Sequence, residues 1–538
     1  MLTKEWTVAP ESSQDLIEHL LNVRGIENRD DFLGPNYPHY DQIAEATGLK
    51  LTDIKKAVRL ISKAITEGRP IVIHGDYDVD GICATAILWE TLYFSLGFKF
   101  AHPFIPSRFE HGYGFSEKSL EQISATYDKP LIVTVDCGIV AVETVAKAKE
   151  MGIDVIITDH HTEGESYPES AAILHTKMLT GAGIAWVLSE ALSVNNLGTL
   201  ELVALGTIAD VQPLIGANRQ LVVHGLLGLK ETQRPGLKSL IQVASIGNRD
   251  LTPGIVGWFI APRLNAAGRL EDAMESLRLL TLKNPEKARQ KAEYLHKINA
   301  DRQDLTLTAI EEARSQITED LVQVLVGESW NEGIIGLIAG RLKDELYRPV
   351  IAMTQGSDGL LKASGRSIEG FDITENLRKN RALLVDVGGH PMAAGFTVSP
   401  LNVDKLRQKL NLQAKNIFGV DPLPKLKIDK ELTLAEISPD LFSQVSQLEP
   451  FGVGNPEPKF ISSSCSVVGM SVFGQNGDHL RFILKQNEAA VPAVFFRPDP
   501  EHNLTEQGIY DFVYTIEIDN FGGRNELRLN IVEFRLHQ

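Results

Sequence analysis

The sequence predicts an α/β protein: two α/β units joined by a long helix, followed by a small antiparallel β-barrel or sandwich. Three observations predict it. Short β-branched runs alternate with helical patterns from about residue 70, a charged stretch poor in Gly and Pro follows Asn284, and closely spaced strand-like runs with turn signals fill the chain after Pro424. With 538 residues the chain can bury several cores, since domains run roughly 100 to 200 residues.

Residues 1–50 read as an N-terminal helical segment. In 51–250, Ile71–Ile73, Leu131–Val135 and Val155–Ile157 are near-continuous apolar runs, the signature of parallel strands buried on both faces. Between them, Ile82–Leu96 is an apolar helix stopped at Gly97, and Glu143–Lys149 is an amphipathic helix ended near Gly152. Residues 251–320 form a helical connector, in which Lys, Arg, Glu and Gln mix with Ala and Leu from Asn284 to Thr318 as in a long exposed helix. The second α/β unit, 321–420, opens with a strand at Leu321–Val326, a helix at Ile334–Leu346 and a strand at Val350–Met353. Pro422 and Pro424 mark its end. In 425–538 the strands are Phe460–Val468, His479–Leu484, Ala493–Phe496, Tyr510–Ile518 and Glu526–Phe534, broken by Asn476-Gly477 and Gly522-Gly523.

The balance of 53 Lys and Arg against 70 Asp and Glu, −17 overall, excludes attachment to nucleic acid or membrane by net charge, while a local basic groove stays open. Cys83, Cys137 and Cys465 are odd in number and far apart, which gives neither a disulfide framework nor a thiolate zinc site. Met1 to Val8 lacks the apolar core of a signal peptide, and no run approaches the roughly 20 apolar residues of a membrane span. A cytoplasmic protein without membrane association is the expectation. Gly336-x-x-x-Gly340 is read as close helix packing rather than a membrane dimer motif, because charged residues bracket a stretch too short to span.

The chemistry concentrates in Ile71-Val-Ile-His74-Gly-Asp76-Tyr-Asp78-Val-Asp80-Gly81, where three aspartates at alternate positions follow a buried strand. Hard divalent cations take such oxygen ligands. An EF-hand loop begins similarly, but its twelfth position falls on Ile87, where a bidentate Glu is required. Asp136 follows Leu131–Val135, Asp159-His160-His161 follows another apolar run, and Asp210 ends the apolar run Leu202–Ala209. Open parallel sheets place their ligand crevice at such C-terminal ends. Carboxylates mixed with imidazoles suit Mn²⁺, with Mg²⁺ as a substitute, and a pair of ions is the usual engine of phosphate-ester hydrolysis.

This set resembles the DHH phosphoesterase superfamily, and within it the RecJ-type single-strand exonucleases. The resemblance runs from Arg24-Gly-Ile and Phe32-Leu-Gly-Pro35 through Pro106-Ser-Arg108-Phe-Glu-His-Gly-Tyr113-Gly114, Arg263-Leu-Asn-Ala-Ala-Gly-Arg269 and Ser364-Gly-Arg366-Ser367 to Gly388-Gly-His390-Pro-Met-Ala-Ala-Gly395 and Pro450-Phe-Gly-Val-Gly-Asn-Pro456. It implies a DHH catalytic domain, a DHH-associated domain and an OB-type barrel. It also implies one ion on His74, Asp78 and Asp136 and a second on Asp80, Asp136, His160 and Asp210, with Asp136 bridging, His161 facing the substrate phosphate and Asp159 orienting the histidines. Asp76 is left as a group behind the ligands.

By the same resemblance Arg108 and the Ser364, Arg366, Ser367 segment recognise a 5' end, a task for which a guanidinium fork is suited. The Gly388–Gly395 stretch, with Gly389 and His390, is expected to bring backbone N–H groups to a phosphate as a nest or helix start would. Arg263, Arg269, Asn299, Arg302 and Gln303 are expected to line a channel between the two α/β units. The function implied is a 5'-to-3' exonuclease that releases 5'-mononucleotides from single-stranded DNA in recombination and repair, beside a single-strand-binding protein and a helicase. Two alternatives stand beside it: a phosphodiesterase for short oligoribonucleotides or cyclic dinucleotides, and a non-catalytic nucleic-acid-binding scaffold.

Overall fold

A computed structural model describes residues 4–537 apart from 109, 113, 194–197, 248, 475–476, 499–503 and 520–524. Tyr113, Asn476 and the Gly522-Gly523 pair therefore lie outside the described residues. The chain divides into two compact units, 36–422 and a second that joins 1–35 to 423–538. The expected helical segment 1–50 thus parts at Pro35, and it opens with a strand, Glu5–Val8, paired in parallel with Lys425–Ile428.

In the larger unit the first sheet is parallel, in the order Ala101–Phe104, Ile71–His74, Leu131–Val135, Val155–Asp159, Ala172–His175. Sequence order along the sheet is therefore 2-1-3-4-5. The order in which strands are added across the sheet reverses between Ile71–His74 and Leu131–Val135, and a crevice opens beyond the strand ends at such a switch point. The two edge strands escape a reading of the sequence because each has four residues, too few to show a period, and Pro103 interrupts one of them.

Two helices carry acidic groups into the interior. Val79–Glu90 is buried on nearly every side and is capped by Asp78, whose carboxylate accepts the Gly81 N–H at 3.1 Å. Leu200–Ala209 is likewise apolar all round and ends at Asp210. A helix without a polar face must be enclosed, so Asp80 and Asp210 are drawn inward with their helices. Asp210 follows a helix, where the other acidic segments follow strands.

The connector is a series of helices that ends in Pro285–Arg314, 30 residues capped by Asn284 and about 45 Å long at 1.5 Å per residue. Beyond it a mixed sheet runs in the order Leu384–His390, Ala393–Val398, Leu361–Arg366, Val350–Gln355, Gln323–Gly327, parallel only between the last two strands. The Gly388–Gly395 stretch is neither a nest nor a helix start: it is a β-hairpin, with His390 paired to Ala393. Gly389 has φ +138°, and a Cβ there would lie 2.3 Å from the Ala393 carbonyl oxygen, so glycine is required at the turn. The Gly336–Gly340 spacing does not serve helix–helix packing. A Cβ at Gly336 would meet the Arg366 guanidinium at 2.9 Å and the Ser364 hydroxyl at 3.1 Å, whereas Gly340 has open space.

In the smaller unit, strands Phe460–Phe473, His479–Gln486, Ala489–Phe496, Glu526–Leu536 and Ile509–Asp519 close into a barrel, since the first also pairs with the last. One of its five pairings, Ala489–Phe496 with Glu526–Leu536, is parallel. Phe460 and Phe482 are core residues. Arg24 donates to Asp429 at 2.9 Å and to Asn455 at 3.1 Å, which ties the N-terminal segment to the loop before the barrel. Among the described residues no helix is long and apolar enough to cross a membrane.

Candidate metal centre and its phosphate-binding surroundings

The acidic segments converge at the switch point. Ligand atoms of Asp76, Asp78 and Asp136 lie within 4.8 Å of one another, as do those of Asp80, His160 and Asp210, and those of Asp136, His160 and His161. His160 Nε2 stands 3.0 Å from Asp136 Oδ1 and 3.8 Å from both Asp80 Oδ2 and Asp210 Oδ2. The 3.0 Å approach lacks hydrogen-bond alignment, and Asp136 Oδ1 is buried without a hydrogen-bond partner. Asp76 Oδ1 and His74 Nε2 are also buried and unpartnered. Buried polar atoms are paired in nearly all native proteins, so three orphans beside clustered carboxylates mark a place for a cation.

Each side chain is held by its element. Asp136 leaves Leu131–Val135 with φ +62°, a left-handed turn that Asp tolerates better than most residues. Asp80 accepts the N–H groups of Gly181 at 2.6 Å and Ala182 at 3.0 Å, at the start of helix Gly181–Leu192. Asp159 accepts from the backbone of Ile139, His160 and His161 and from His161 Nδ1 at 2.8 Å. His74 packs between the rings of Phe104 and Phe115, centroids 5.3 and 5.1 Å away, with Cys137 Sγ 3.5 Å from its Nδ1.

The family resemblance implies His74 with Asp78 and Asp136 around one ion. The structure groups Asp76, a carboxylate expected behind the ligands, with Asp78 and Asp136, while His74 Nε2 is buried without a partner. Three further residues, to which the sequence alone assigns no role, complete the site. Asn265 Oδ1 accepts the Val79 N–H at 3.1 Å and so fixes the aspartate loop. Gly181 and Gly206 leave room for carboxylates: a Cβ on either would lie 2.3 Å from Asp136 Cβ or 2.4 Å from Asp80 Oδ1, respectively.

Burial and mutual repulsion define the electrostatics. Burial, then the charges of Asp210 and Asp78, push Asp80 up to about 8. Burial and Asp78 push Asp76 up to about 7, burial lifts Asp210 to about 6, and burial with Asp80 raises Asp136 well above the carboxylate range. Burial holds His74 near 3, and burial with the His161 charge does the same to His160, leaving both rings neutral with lone pairs to give. For His161 burial acts downward, but the Asp159 hydrogen bond and charge outweigh it and lift the ring to about 9. Burial would raise Asp159, and the His161 hydrogen bond and charge hold it below its ordinary value instead.

Arginines flank the carboxylates. Arg108 lies 4.1 Å above the Tyr77 ring, and Arg366 donates to Ser364 Oγ at 2.9 Å. Burial, then the charges of Arg108, Arg302 and Arg366, bring Arg269 down to about 10, which places four guanidinium groups within mutual influence. Arg263 donates to His296 and to the Phe259 carbonyl, and Arg302 donates to the buried Asn299. Among the described residues none of these five arginines is ion-paired, and the Nε atoms of Arg108 and Arg302 are buried without partners. His390 is exposed, its Nδ1 3.5 Å from the Thr162 hydroxyl and its ring 6.4 Å from that of His161. Gly389 adjoins it in the hairpin, and Gln303 is exposed on the long helix. Ser367 does not join them: it is buried and its hydroxyl donates to the Phe371 carbonyl.

The DHH family N-terminal domain matches residues 70–207, the DHHA1 domain 319–416 and the RecJ OB domain 428–533. The single-stranded-DNA-specific exonuclease RecJ of Bacillus subtilis is 33% identical over 98% of this chain and 68% of its own length. A crystal structure of RecJ from Thermus thermophilus in complex with Mn²⁺ superposes with a TM-score of 0.86 at 29% identity, covering 99% of this chain and 80% of that one. The Mg²⁺ complex of the same protein gives 0.80 at 27% identity, covering 99% and 79%. Three matched domains, with an alignment to a RecJ relative over 98% of the chain, show that it belongs to the RecJ family.

Proposed function

We propose that this chain is a metal-dependent 5'-to-3' exonuclease that shortens single-stranded DNA to 5'-mononucleotides. The observation that carries the reading is the convergence of unpartnered carboxylate and imidazole atoms at the sheet's switch point beside arginines that have no counter-charge. The donor set fits two Mn²⁺ ions, with Mg²⁺ as a substitute: Asp78 and Asp136, with Asp76 or His74, for one, and Asp80, Asp136, His160 and Asp210 for the other. Bound there, the ions supply Lewis acidity, which offsets phosphate charge and makes water acidic enough to attack near neutral pH.

The chain's own groups do the rest. Asp159 fixes the His161 ring through Nδ1, so its protonated Nε2 faces the scissile phosphate and steadies the departing 3' oxygen. Arg108, Arg366 and Ser364 hold the terminal 5' phosphate, where a planar fork binds two oxygens at once. Arg263, Arg269, Arg302, Gln303, Gly389 and His390 guide the strand, and the buried Asn299 holds Arg302 in place. We place this cytoplasmic enzyme in recombination and repair, beside a helicase and a single-strand-binding protein.

The deciding experiment offers 5'- and 3'-labelled single strands, duplexes and dinucleotides with Mn²⁺, Mg²⁺ or chelator. Release of labelled mononucleotide from the 5' label first, dependent on metal and absent for duplex ends, is expected. Cleavage of dinucleotides alone, or release from the 3' label first, overturns the reading.

A further inference from the structure

Trp258 is 80% exposed, although Trp186 and Trp330 are buried and Trp6 and Trp89 partly so. It sits in Val256–Ile260, a π-helical turn that leads into helix Ala261–Leu270. π-turns recur at functional sites, and tryptophan, a large ring with a stacking face, is enriched where proteins meet their partners. This helix touches the candidate site at several points. Asn265 holds the Val79 N–H, Gly268 packs so closely that a Cβ would lie 2.5 Å from the Tyr77 carbonyl oxygen, and Arg269 joins Arg108 and Arg366. At the other end Gly257, next to Trp258, faces Ile208, which precedes Asp210 by two residues, with 3.9 Å from its Cβ position to Ile208 Cγ2.

From these contacts we infer that Trp258 is a stacking platform for a base of single-stranded DNA downstream of the scissile phosphate. The inference rests on the function proposed above, because Arg108 and Arg366, beside Arg269, then mark the 5' end. Eleven residues separate Arg269 from Trp258, about 16 Å at 1.5 Å per residue. A stacked strand rises about 3.4 Å per nucleotide, so the platform lies four or five nucleotides along. Arg263, on the next turn and free of any carboxylate partner among the described residues, supplies positive charge for the backbone beside it. Every base has a π-face, so such a platform is indifferent to sequence.

The test compares the full chain with Trp258→Ala and Trp258→Phe on 5'-phosphorylated oligo-dT in Mn²⁺. Trp258→Ala is expected to lower kcat/KM about 5- to 150-fold on a 20-nucleotide strand, the range for losing one stacked base, and less than twofold on a dinucleotide. Trp258→Phe should recover most of the loss. A penalty independent of length, or none on the long strand, overturns the assignment. Tryptophan fluorescence with chelator present provides a readout separate from catalysis: oligo-dT should quench the wild type and leave Trp258→Phe nearly unquenched. If the wild type does not cut DNA, the proposed function fails while the quenching still decides the platform, and equal quenching of both proteins rejects it.

Discussion

Gly181 offers a sharp test of the site because its side chain is missing for a geometrical reason. A Cβ there would lie 2.3 Å from Asp136 Cβ, and real Cβ atoms essentially never come within 3.0 Å. The obstacle is an atom attached directly to backbone, so no rotamer change relieves it, and one segment must retreat by at least about 0.7 Å. The Gly181 N–H simultaneously holds Asp80 Oδ2 at 2.6 Å. Retreat therefore separates Asp80 from Asp136 or loosens that hydrogen bond, and either change disturbs both carboxylate clusters.

Overpacking of this kind costs about 1 to 3 kcal/mol, and misplacement of reacting groups by about 1 Å can cost roughly a hundredfold in rate. We expect Gly181→Ala to lose on the order of a hundredfold in single-strand hydrolysis and to show a smaller Mn²⁺-induced rise in melting temperature. Gly340→Ala is the control: its Cβ meets nothing within 4 Å inside helix Ile335–Leu346, so stability should rise by up to about 1 kcal/mol and activity stay unchanged. Initial rates on a labelled single strand and melting curves with and without Mn²⁺ decide the matter. A Gly181→Ala protein within twofold of wild type in rate, with an undiminished metal response, would refute the reasoning.

Three other outcomes follow from the same geometry. Asp136→Asn keeps a residue that tolerates φ +62° but removes the shared charge, so hydrolysis should fall about a thousandfold or more while the metal-free melting temperature holds or rises, by activity assay and calorimetry. Arg366→Ala should cost about 10- to 150-fold in preference for 5'-phosphorylated over 5'-hydroxyl ends, the range for hydrogen bonds to a charged group, measured by competition between the two. Above pH 6.5, where His74 and His160 are neutral in the fold and the unfolded rings lose their remaining protons within about a pH unit, Asp76, Asp80 and His161 all bind protons more tightly in the folded state and outweigh them. Their stabilisation is lost as pH rises through about 7 to 9, so the metal-free melting temperature should fall from pH 6.5 to 9, and Mn²⁺ should raise it most at the alkaline end.

The sequence disclosed what local pattern encodes. Leu131–Val135 and Val155–Asp159 announce themselves as buried strands, and the residues that end them, Asp136 and Asp159 to His161, stand out because charge directly after such a run is unusual. What stayed hidden depends on partners remote in sequence. Asp76 stands out in the sequence with Asp78 and Asp80, but which of the three faces Asp136, sixty residues on, is set only when the fold brings that residue beside them. Gly181 and Gly206 have ordinary helical surroundings, and only the close approach of Asp136 and Asp80 gives them meaning. Glu5–Val8 pairs with residues more than 400 positions away. The Gly388–Gly395 stretch misleads for the opposite reason: three glycines suggest a phosphate-binding loop, yet only Gly389 needs its glycine, for a hairpin turn.

The same burial that hides these carboxylates explains why the site must bind cations to work. Asp76, Asp80 and Asp136 are each at most 2% exposed, and no arginine or lysine side chain is ion-paired with them among the described residues. Removing several anions from water without counter-charge is far more costly than hydrogen bonds to N–H groups can offset. Burial and mutual repulsion raise Asp76, Asp80 and Asp136, so without metal the fold favours the protonated over the charged form of these carboxyl groups. Protonated carboxyls are poor ligands, so cation entry must expel those protons, and affinity should rise with pH until they are gone. A nearby arginine would have neutralised the cluster more simply. It would also have occupied the place of the ions, and in this fold the arginines stand instead one layer outward, unpaired, where a phosphate would lie.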